Sequence, residues 1–169
     1  MMRSPRTVTV VSVSVVIIVT VLGLIAVTRS PQTKPLSIVT GHDGLIEVRH
    51  QVVDNTNRLR KSYGLRSLDM AWRLNTGAQD HSDWMARTRN FEHSTDLTLQ
   101  MTQAYDGTWS YAGENIGVYG GDLSVLLTSL RQSPEHRKNM LKPQYRRIGV
   151  GATWDSDDER LWLTIWFEG

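Results

Sequence analysis

The chain contains no cysteine. This absence excludes disulfide bonds, a thiolate-coordinated metal site and a cysteine nucleophile. It does not fix the cellular compartment, because a domain with a sufficient apolar core can fold without disulfides in an oxidising environment. Any metal chemistry must therefore use histidine and carboxylate side chains.

A strong charge of either sign is also missing. The 169 residues include 19 basic and 17 acidic side chains, which gives a formal net charge of +2. Two small basic clusters, at Arg58, Arg60 and Lys61 and at Arg146 and Arg147, are typical of solvated surfaces more than of phosphate-binding patches. The sequence therefore predicts no nucleic-acid partner.

One long apolar run stands near the N-terminus. Residues 7–27, TVTVVSVSVVIIVTVLGLIAV, carry no charge. As a helix they would span roughly 30 Å, the thickness of a bilayer core, and lipid leaves their backbone no other hydrogen-bond partner. The sequence predicts a transmembrane signal-anchor. A cleavable signal peptide is the alternative, but Ala26-Val27-Thr28-Arg29 is a poor cleavage site.

The charges that flank this run decide its orientation only weakly. Arg3 and Arg6 precede it, and Arg29 and Lys34 follow it. A short cytoplasmic N-terminus at residues 1–6 and a translocated domain are the usual outcome for such an anchor. We expect a single-pass protein of the cell membrane with its domain on the extracytoplasmic side, or, alternatively, a protein secreted after signal cleavage.

Residues 28–42 contain Pro31 and Pro35 among small polar residues, which predicts a linker between the anchor and a single domain at 43–169. Apolar spacing in that domain predicts three helices: one from the N-cap Asp43 to about Tyr63, one over Ala71–Thr88, and one marked by Leu123, Leu126, Leu127 and Leu130.

The rest of the domain combines loop, one short helix and two strands. The stretch 91–121 is rich in Gly, Thr, Ser and Asp, and we interpret it mostly as loop. Ser133-Pro134-Glu135-His136 is a helix-start signal for a short helix that ends near Leu141. Alternating residues predict strands at about 147–154 and 160–167. Helices followed by a closing hairpin favour an α/β fold in which helices cover an antiparallel sheet.

Several short motifs then occur in a fixed order: Asn57-x-x-Arg60, Gly64-Leu65-x-x-Leu68, Leu74-x-x-x-Ala78, Phe91-Glu92-His93-Ser94, Gly113-Glu114-Asn115-Ile116, Ser133-Pro134-Glu135-His136-Arg137-x-Asn139-Met140-Leu141, Ile148-Gly149-Val150-Gly151 and Trp162-x-Thr164. In this order they resemble the CAP superfamily, also called SCP or PR-1-like, in its short bacterial form. The resemblance covers about residues 45–168.

The resemblance implies an α-β-α sandwich with a central antiparallel sheet and a surface cleft. Carried onto this chain, the cleft residues are His93, Glu114 and His136, and their neighbours Ser94, Asn115 and Ser133 would line the cleft. Larger relatives carry a second acid in a Trp-x-x-Glu motif. Here Leu130 stands at the Trp position and Ser133 at the Glu position, so the second acid is missing.

Two imidazoles and one carboxylate are a plausible ligand set for zinc, magnesium or calcium with an open coordination position. The third position of a helix disfavours an imidazolium at His136, and neutral imidazole is the form that binds metal. A hydrogen-bonded polar network is the alternative. We interpret His81 as a core histidine, and no acid is evident that would place Ser94 in a catalytic triad.

The function that the resemblance favours is a membrane-tethered, non-enzymatic module that binds a lipid, an envelope component or a protein near this cleft. A metal-dependent hydrolase, with Glu114 as base and a histidine-bound ion activating water, is the alternative.

Overall fold

A computed structural model describes residues 9–12, 42–104 and 109–169. These residues form, in chain order, β1 (Thr9–Ser12), α1 (His42–Ser62), β2 (Asp69–Met70), α2 (Trp72–Thr88), α3 (Leu97–Ala104), β3 (Tyr111–Tyr119), α4 (Leu123–Gln132), α5 (Pro134–Met140), β4 (Arg147–Asp155) and β5 (Arg160–Glu168). The fold is therefore mixed α/β.

The strands form one sheet in the order β1-β3-β5-β4-β2. The three long strands at its centre are antiparallel, and β5 pairs with both β3 and β4. The two short edge strands run parallel to their neighbours, β1 beside β3 and β2 beside β4. The register places Trp166 of β5 directly opposite Glu114 of β3, so that these two side chains share one face of the sheet.

Helices cover both faces of the sheet. Alternate residues of β5 (Leu161, Leu163, Ile165 and Phe167) pack into one core with residues of α1 and α4, whereas Trp166 packs with Leu74 and Ala78 of α2 on the other face. This alternation follows from the two-residue period of a strand. Burying each large apolar side chain contributes about 1.5–3 kcal/mol. Because β5 supplies such side chains to the cores on both faces of the sheet, it stabilises both.

Helix α2 lies unusually close to β4 because two glycines face it. A Cβ atom at Gly149 would lie 2.3 Å from the Leu74 backbone, and one at Gly151 would lie 2.1 Å from the Ala78 carbonyl oxygen. The Gly149 and Gly151 positions thus bring α2, which carries His81, against the sheet.

The predicted helices and the closing hairpin are confirmed to within about two residues. Helix α1 begins at His42 rather than after an N-cap at Asp43, and Gly64, with a φ of 69°, follows its end. The prediction of loop over residues 91–121 was wrong, because this stretch contains α3 and the central strand β3. The glycines that suggested a loop are needed for packing: a Cβ at Gly113 would collide with the hydroxyl of Tyr145.

Most of the predicted signal-anchor (7–27) and of the linker (28–42) lies outside the described residues. The four residues described within the anchor, Thr9–Ser12, form strand β1 rather than helix. Their Thr-Val-Val-Ser sequence includes three β-branched residues, which suit an extended backbone. Within 42–104 and 109–169, no helix has both the length and the apolar character that crossing a membrane requires.

Candidate functional site

Glu114 lies in the middle of β3, and its side chain is 1% exposed. Four donors contact its carboxylate. His93 Nδ1 lies 2.5 Å and the Ser94 backbone N–H 2.9 Å from Oε1, while Ser94 Oγ lies 2.5 Å and Trp166 Nε1 2.8 Å from Oε2. Both carboxylate oxygens are therefore occupied by hydrogen bonds from three neighbouring residues.

These contacts keep Glu114 ionised. Burial alone raises the pKa of this carboxyl, but the hydrogen bond from His93, the charge of nearby His81 and the two hydrogen bonds from Ser94 together outweigh burial and lower the pKa. Glu114 is thus a buried carboxylate that is fixed in its charged form at neutral pH.

His93 lies in the loop between α2 and α3 and contacts Glu114 from there. Because an ionised carboxylate can only accept hydrogen bonds, His93 Nδ1 carries the proton that it donates to Glu114. In the neutral ring the lone pair is then on Nε2. A carboxylate that fixes the tautomer of a histidine in this way is the arrangement found behind many metal-ligating imidazoles.

His81 joins this group from α2. Its Nε2 is 3.0 Å from the backbone oxygen of Glu92 and 4.0 Å from Glu114 Oε2, and its ring stacks on Trp84 at a centroid distance of 5.5 Å. The sequence suggested a core histidine, and the side chain is indeed buried and hydrogen-bonded. It also lies beside Glu114, which places it in the site.

His136 approaches from α5. Its Nδ1 lies 2.8 Å from Ser133 Oγ, and its Nε2 is buried without a hydrogen-bond partner in the described part of the chain. Burial and then the nearby His93 lower the pKa of His136, against smaller opposing effects of the Ile116 backbone and Glu135, so the ring is neutral at pH 7. Ser133 occupies the expected N-cap position, but its hydroxyl contacts the imidazole instead of a helix N–H.

Two asparagines tie α5 to β3. The side-chain amide of Asn115 donates to the backbone oxygen of His136, and that of Asn139 donates to the backbone oxygen of Glu114 and to Asn115 Oδ1, all at 3.0 Å. The two side chains that make this helix–strand connection, Asn115 and Asn139, are both buried. This connection holds His136 in a fixed position relative to Glu114.

A cavity of about 650 Å³, the cleft of this protein, opens beside His81, His93 and Trp166, the neighbours of Glu114. Its wall includes Asp80, His81, Trp84, Arg87, His93 and Trp166. Ser94, Asn115 and Ser133, predicted to line the cleft, are not on this wall but are buried, where they hold Glu114 and His136. Glu114 and His136 are themselves buried and not on the wall, so that His93 is the one predicted ligand that lines the cleft. Sequence reasoning missed Asp80, Trp84 and Arg87, although their spacing of three and four residues places them on one face of α2.

The donor set fits a cation held by imidazoles better than one held by all three predicted ligands. In the described ranges, no three His, Asp or Glu side chains are grouped as a metal site requires. Both oxygens of Glu114 already accept hydrogen bonds, whereas His136 presents a buried nitrogen without a partner. The three-ligand set of His93, Glu114 and His136 stays a prediction.

The amino-acid sequence of this chain is similar to those of known proteins. The sequence model of the cysteine-rich secretory protein family, CAP, matches residues 53–167, well over half of the chain. YkwD of Bacillus subtilis, an uncharacterized protein, is 30% identical over 104 residues, which cover 60% of this chain and 40% of YkwD.

Two solved structures are similar in fold. An extracellular protein of Bacillus anthracis that contains an SCP domain superposes with a TM-score of 0.65 at 26% identity, over 76% of this chain and 43% of that protein. An outer surface protein of Borrelia burgdorferi gives a TM-score of 0.64 at 18% identity, over 72% and 92% of the two chains. This chain thus spans less than half the length of YkwD and of the Bacillus anthracis protein.

Proposed function

The chain belongs to the CAP family, and from this premise we propose that it is a non-enzymatic, extracytoplasmic binding module. Its ligand, a lipid, an envelope component or a protein, would enter the cleft beside His81 and His93. No nucleic-acid partner is proposed, since the net charge of +2 gives no large basic surface.

The observation that carries this proposal is the closed hydrogen bonding of the buried Glu114, whose partners His93 and Trp166 line an open cleft. A general base needs an oxygen that can take a proton from substrate or water. Both oxygens of Glu114 instead accept short hydrogen bonds from the protein. The cleft wall, by contrast, offers two indole rings, Trp84 and Trp166, and charged groups of both signs, Asp80 and Arg87, as pockets for ligands do.

A divalent metal ion held between His93 of the cleft wall and the buried His136 fits this proposal. His93 and His136 would hold it through neutral imidazoles, and Glu114 would orient His93 from behind. The lowered pKa of His136 favours the neutral form that a metal requires. Such an ion would supply a positive charge that attracts an anionic or carbonyl group of the ligand.

A variant that fills the cleft with a large side chain tests the binding proposal. Thr76 is an exposed residue of α2 on the cleft wall, and its hydroxyl donates to the Trp72 backbone oxygen. Thr102 is an exposed residue of α3 with the same kind of bond, to Thr98, and is not on that wall. We expect the full-length Thr76→Trp chain to lose retention on purified peptidoglycan or envelope lipids, while Thr102→Trp retains it.

Either of two results would contradict the proposal. One is that the wild-type chain binds neither peptidoglycan, nor envelope lipids, nor any purified envelope protein. The other is that Thr76→Trp binds as much as wild type does, because the ligand would then bind outside the cleft.

We also propose that residues 7–27 anchor the module in the cell membrane, with secretion after cleavage as the alternative. The support is the uncharged 21-residue run and the extracellular character of the Bacillus anthracis relative. Anchoring requires Thr9–Ser12 to leave the edge of the sheet, which leaves the order β3-β5-β4-β2 intact. Intact cells treated with an external protease should lose the domain from their membrane fraction. A domain that is protected, or that is found only in the cytosol, would contradict this topology.

The hydrolase alternative rests on the His93–Glu114 pair, which resembles an imidazole oriented for proton transfer. Cleavage of a peptide or ester substrate that is lost in both His93→Ala and Glu114→Ala would support it. Activity that both variants retain would exclude this cleft as its source.

A further inference from the structure

A second cavity, of about 460 Å³, lies where the C-terminal parts of α1 and α4 meet α5. Its wall includes Arg58 from the end of α1, Tyr63 directly after that helix, Arg131 and Gln132 from the end of α4, and Arg137 from α5. It shares no lining residue with the cleft, and no carboxylate is among its lining residues. We call it the arginine pocket.

None of the three guanidinium groups of the arginine pocket forms a hydrogen bond or an ion pair with another described residue. Four arginines elsewhere differ in this respect, since Arg66, Arg89, Arg147 and Arg160 each pair with a carboxylate. The acids nearest in sequence to the pocket, Asp54 and Glu135, form no ion pair with its arginines. The positive charges of the three pocket arginines therefore remain available to a ligand.

Helix C-termini offset only part of this charge. Each terminus carries about −0.5 elementary charge, so the ends of α1 and α4, which lie on the pocket wall, would together balance about one of the three guanidinium groups. The last turn of α1 also carries Arg60 and Lys61, two further positive charges that are not on the pocket wall. A ligand with at least two negative charges would balance what remains.

We propose that the arginine pocket binds a phosphate-bearing ligand. The planar fork of a guanidinium matches two phosphate oxygens, and three such groups suit a dianion. Tyr63 and Gln132 can add neutral donors at the rim. The volume exceeds that of a phosphate ion alone, so the pocket also accommodates part of the group to which the phosphate is attached, whether a lipid or a soluble molecule.

Calorimetry on the full-length chain in nonionic detergent tests this proposal. The probes are inorganic phosphate, glycerol phosphate, and dihexanoyl phosphatidic acid below its micelle concentration, with dihexanoyl phosphatidylcholine as the zwitterionic reference. The test variant is Arg58→Gln/Arg131→Gln/Arg137→Gln. The matched control, Arg66→Gln/Arg73→Gln/Arg160→Gln, removes the same net charge from exposed arginines that are not on the pocket wall. Unchanged thermal unfolding confirms that both variants fold.

We expect at least one phosphate probe to bind, with a dissociation constant raised about tenfold or more in the test variant and less than about twofold in the control. Tighter binding of phosphatidic acid than of glycerol phosphate would identify a lipid headgroup as the source, and equal binding would identify a soluble phosphate. Absence of binding to wild type, or equal losses in the two variants, would overturn the proposal. Neither result depends on the cleft, because the arginine pocket shares no lining residue with it.

Discussion

Glu114 on β3 and Trp166 on β5 are cross-strand partners, and the indole Nε1 donates a 2.8 Å hydrogen bond to the Glu114 carboxylate. This bond joins the buried acid to a side chain that also lines the cleft. The buried charge and the ligand-facing surface are therefore part of one rigid unit.

Glu114→Gln should destabilise the protein by about 2–4 kcal/mol. The amide cannot accept hydrogen bonds at both terminal atoms, so at least one of the donors from His93, Ser94 and Trp166 would lose its partner in a buried site. Denaturant unfolding of the full-length chain measures this loss. The matched control is Glu92→Gln, at an exposed position two residues before Ser94, and it should change the unfolding free energy by less than about 0.5 kcal/mol. Equal effects of the two changes would contradict the role of Glu114.

Stability should fall in two steps on acidification. The pKa of His136 lies below its ordinary value of 6.5, and that of Glu114 lies below its ordinary value of 4.5. Just below each ordinary value the unfolded chain binds more protons than the folded chain, so the unfolding free energy decreases as the pH falls. The His136 contribution is complete above about pH 6.5, and the Glu114 contribution above about pH 4.5.

Unfolding measured at half-unit intervals from pH 8 to pH 3 resolves the two steps. His136→Gln should lack most of the step below pH 6.5, and Glu114→Gln should show a smaller step below pH 4.5. A His136→Gln chain that loses as much stability as wild type between pH 7 and pH 5 would show that His136 is not responsible.

Ser133→Ala should cost about 1 kcal/mol, because the buried Nδ1 of His136 loses its hydrogen-bond partner at 2.8 Å. Ser129→Ala, one turn earlier on α4, is the control. The backbone oxygen of Ser129 accepts a hydrogen bond from the Ser133 backbone N–H, and the variant keeps that oxygen. Thermal unfolding should separate the two variants by several degrees. Identical midpoints would mean that Ser133 acts only as the residue that precedes the helix.

Arg60→Lys should destabilise the fold by about 2–4 kcal/mol, although it keeps the charge. The buried guanidinium donates to the backbone oxygens of Arg66, Met140 and Lys142, and an ammonium cannot reach the same set with its different geometry. Arg58→Lys, at an exposed position two residues away, should have almost no effect on the unfolding free energy. A small effect at Arg60 would show that the connection from α1 to the end of α5 is dispensable.

The helices and the hairpin were predictable because their apolar residues repeat with clear periods. Leu123, Leu126, Leu127 and Leu130 lie on the buried face of α4, and the residues of β5 alternate between two cores. Strand β3 was not predictable in this way. It buries Glu114 and Asn115 through hydrogen bonds that only the folded chain supplies, and its Gly113 is needed by Tyr145, a residue far along the sequence.

The candidate site was predictable only in part for a similar reason. The family motifs identified His93, Glu114 and His136, but they did not show that Glu114 is saturated by donors or that His81 lies 4.0 Å from it. The arginine pocket was missed altogether. From the sequence we interpreted the cluster at Arg58 as a solvated surface. The pocket could not be predicted, because Arg131 and Arg137 come near Arg58 only when α1, α4 and α5 pack together.

The most direct test of the cleft is metal binding by the full-length chain, measured by calorimetry with zinc, magnesium and calcium. We expect micromolar binding of at least one ion, at one site per chain, which is lost in His93→Ala/His136→Ala and kept in His50→Ala, a change at an exposed histidine of α1. If wild type binds none of the three ions, or if the double variant binds as tightly as wild type, the two imidazoles do not form a cation site. The polar cluster around Glu114 would then have a purely structural role.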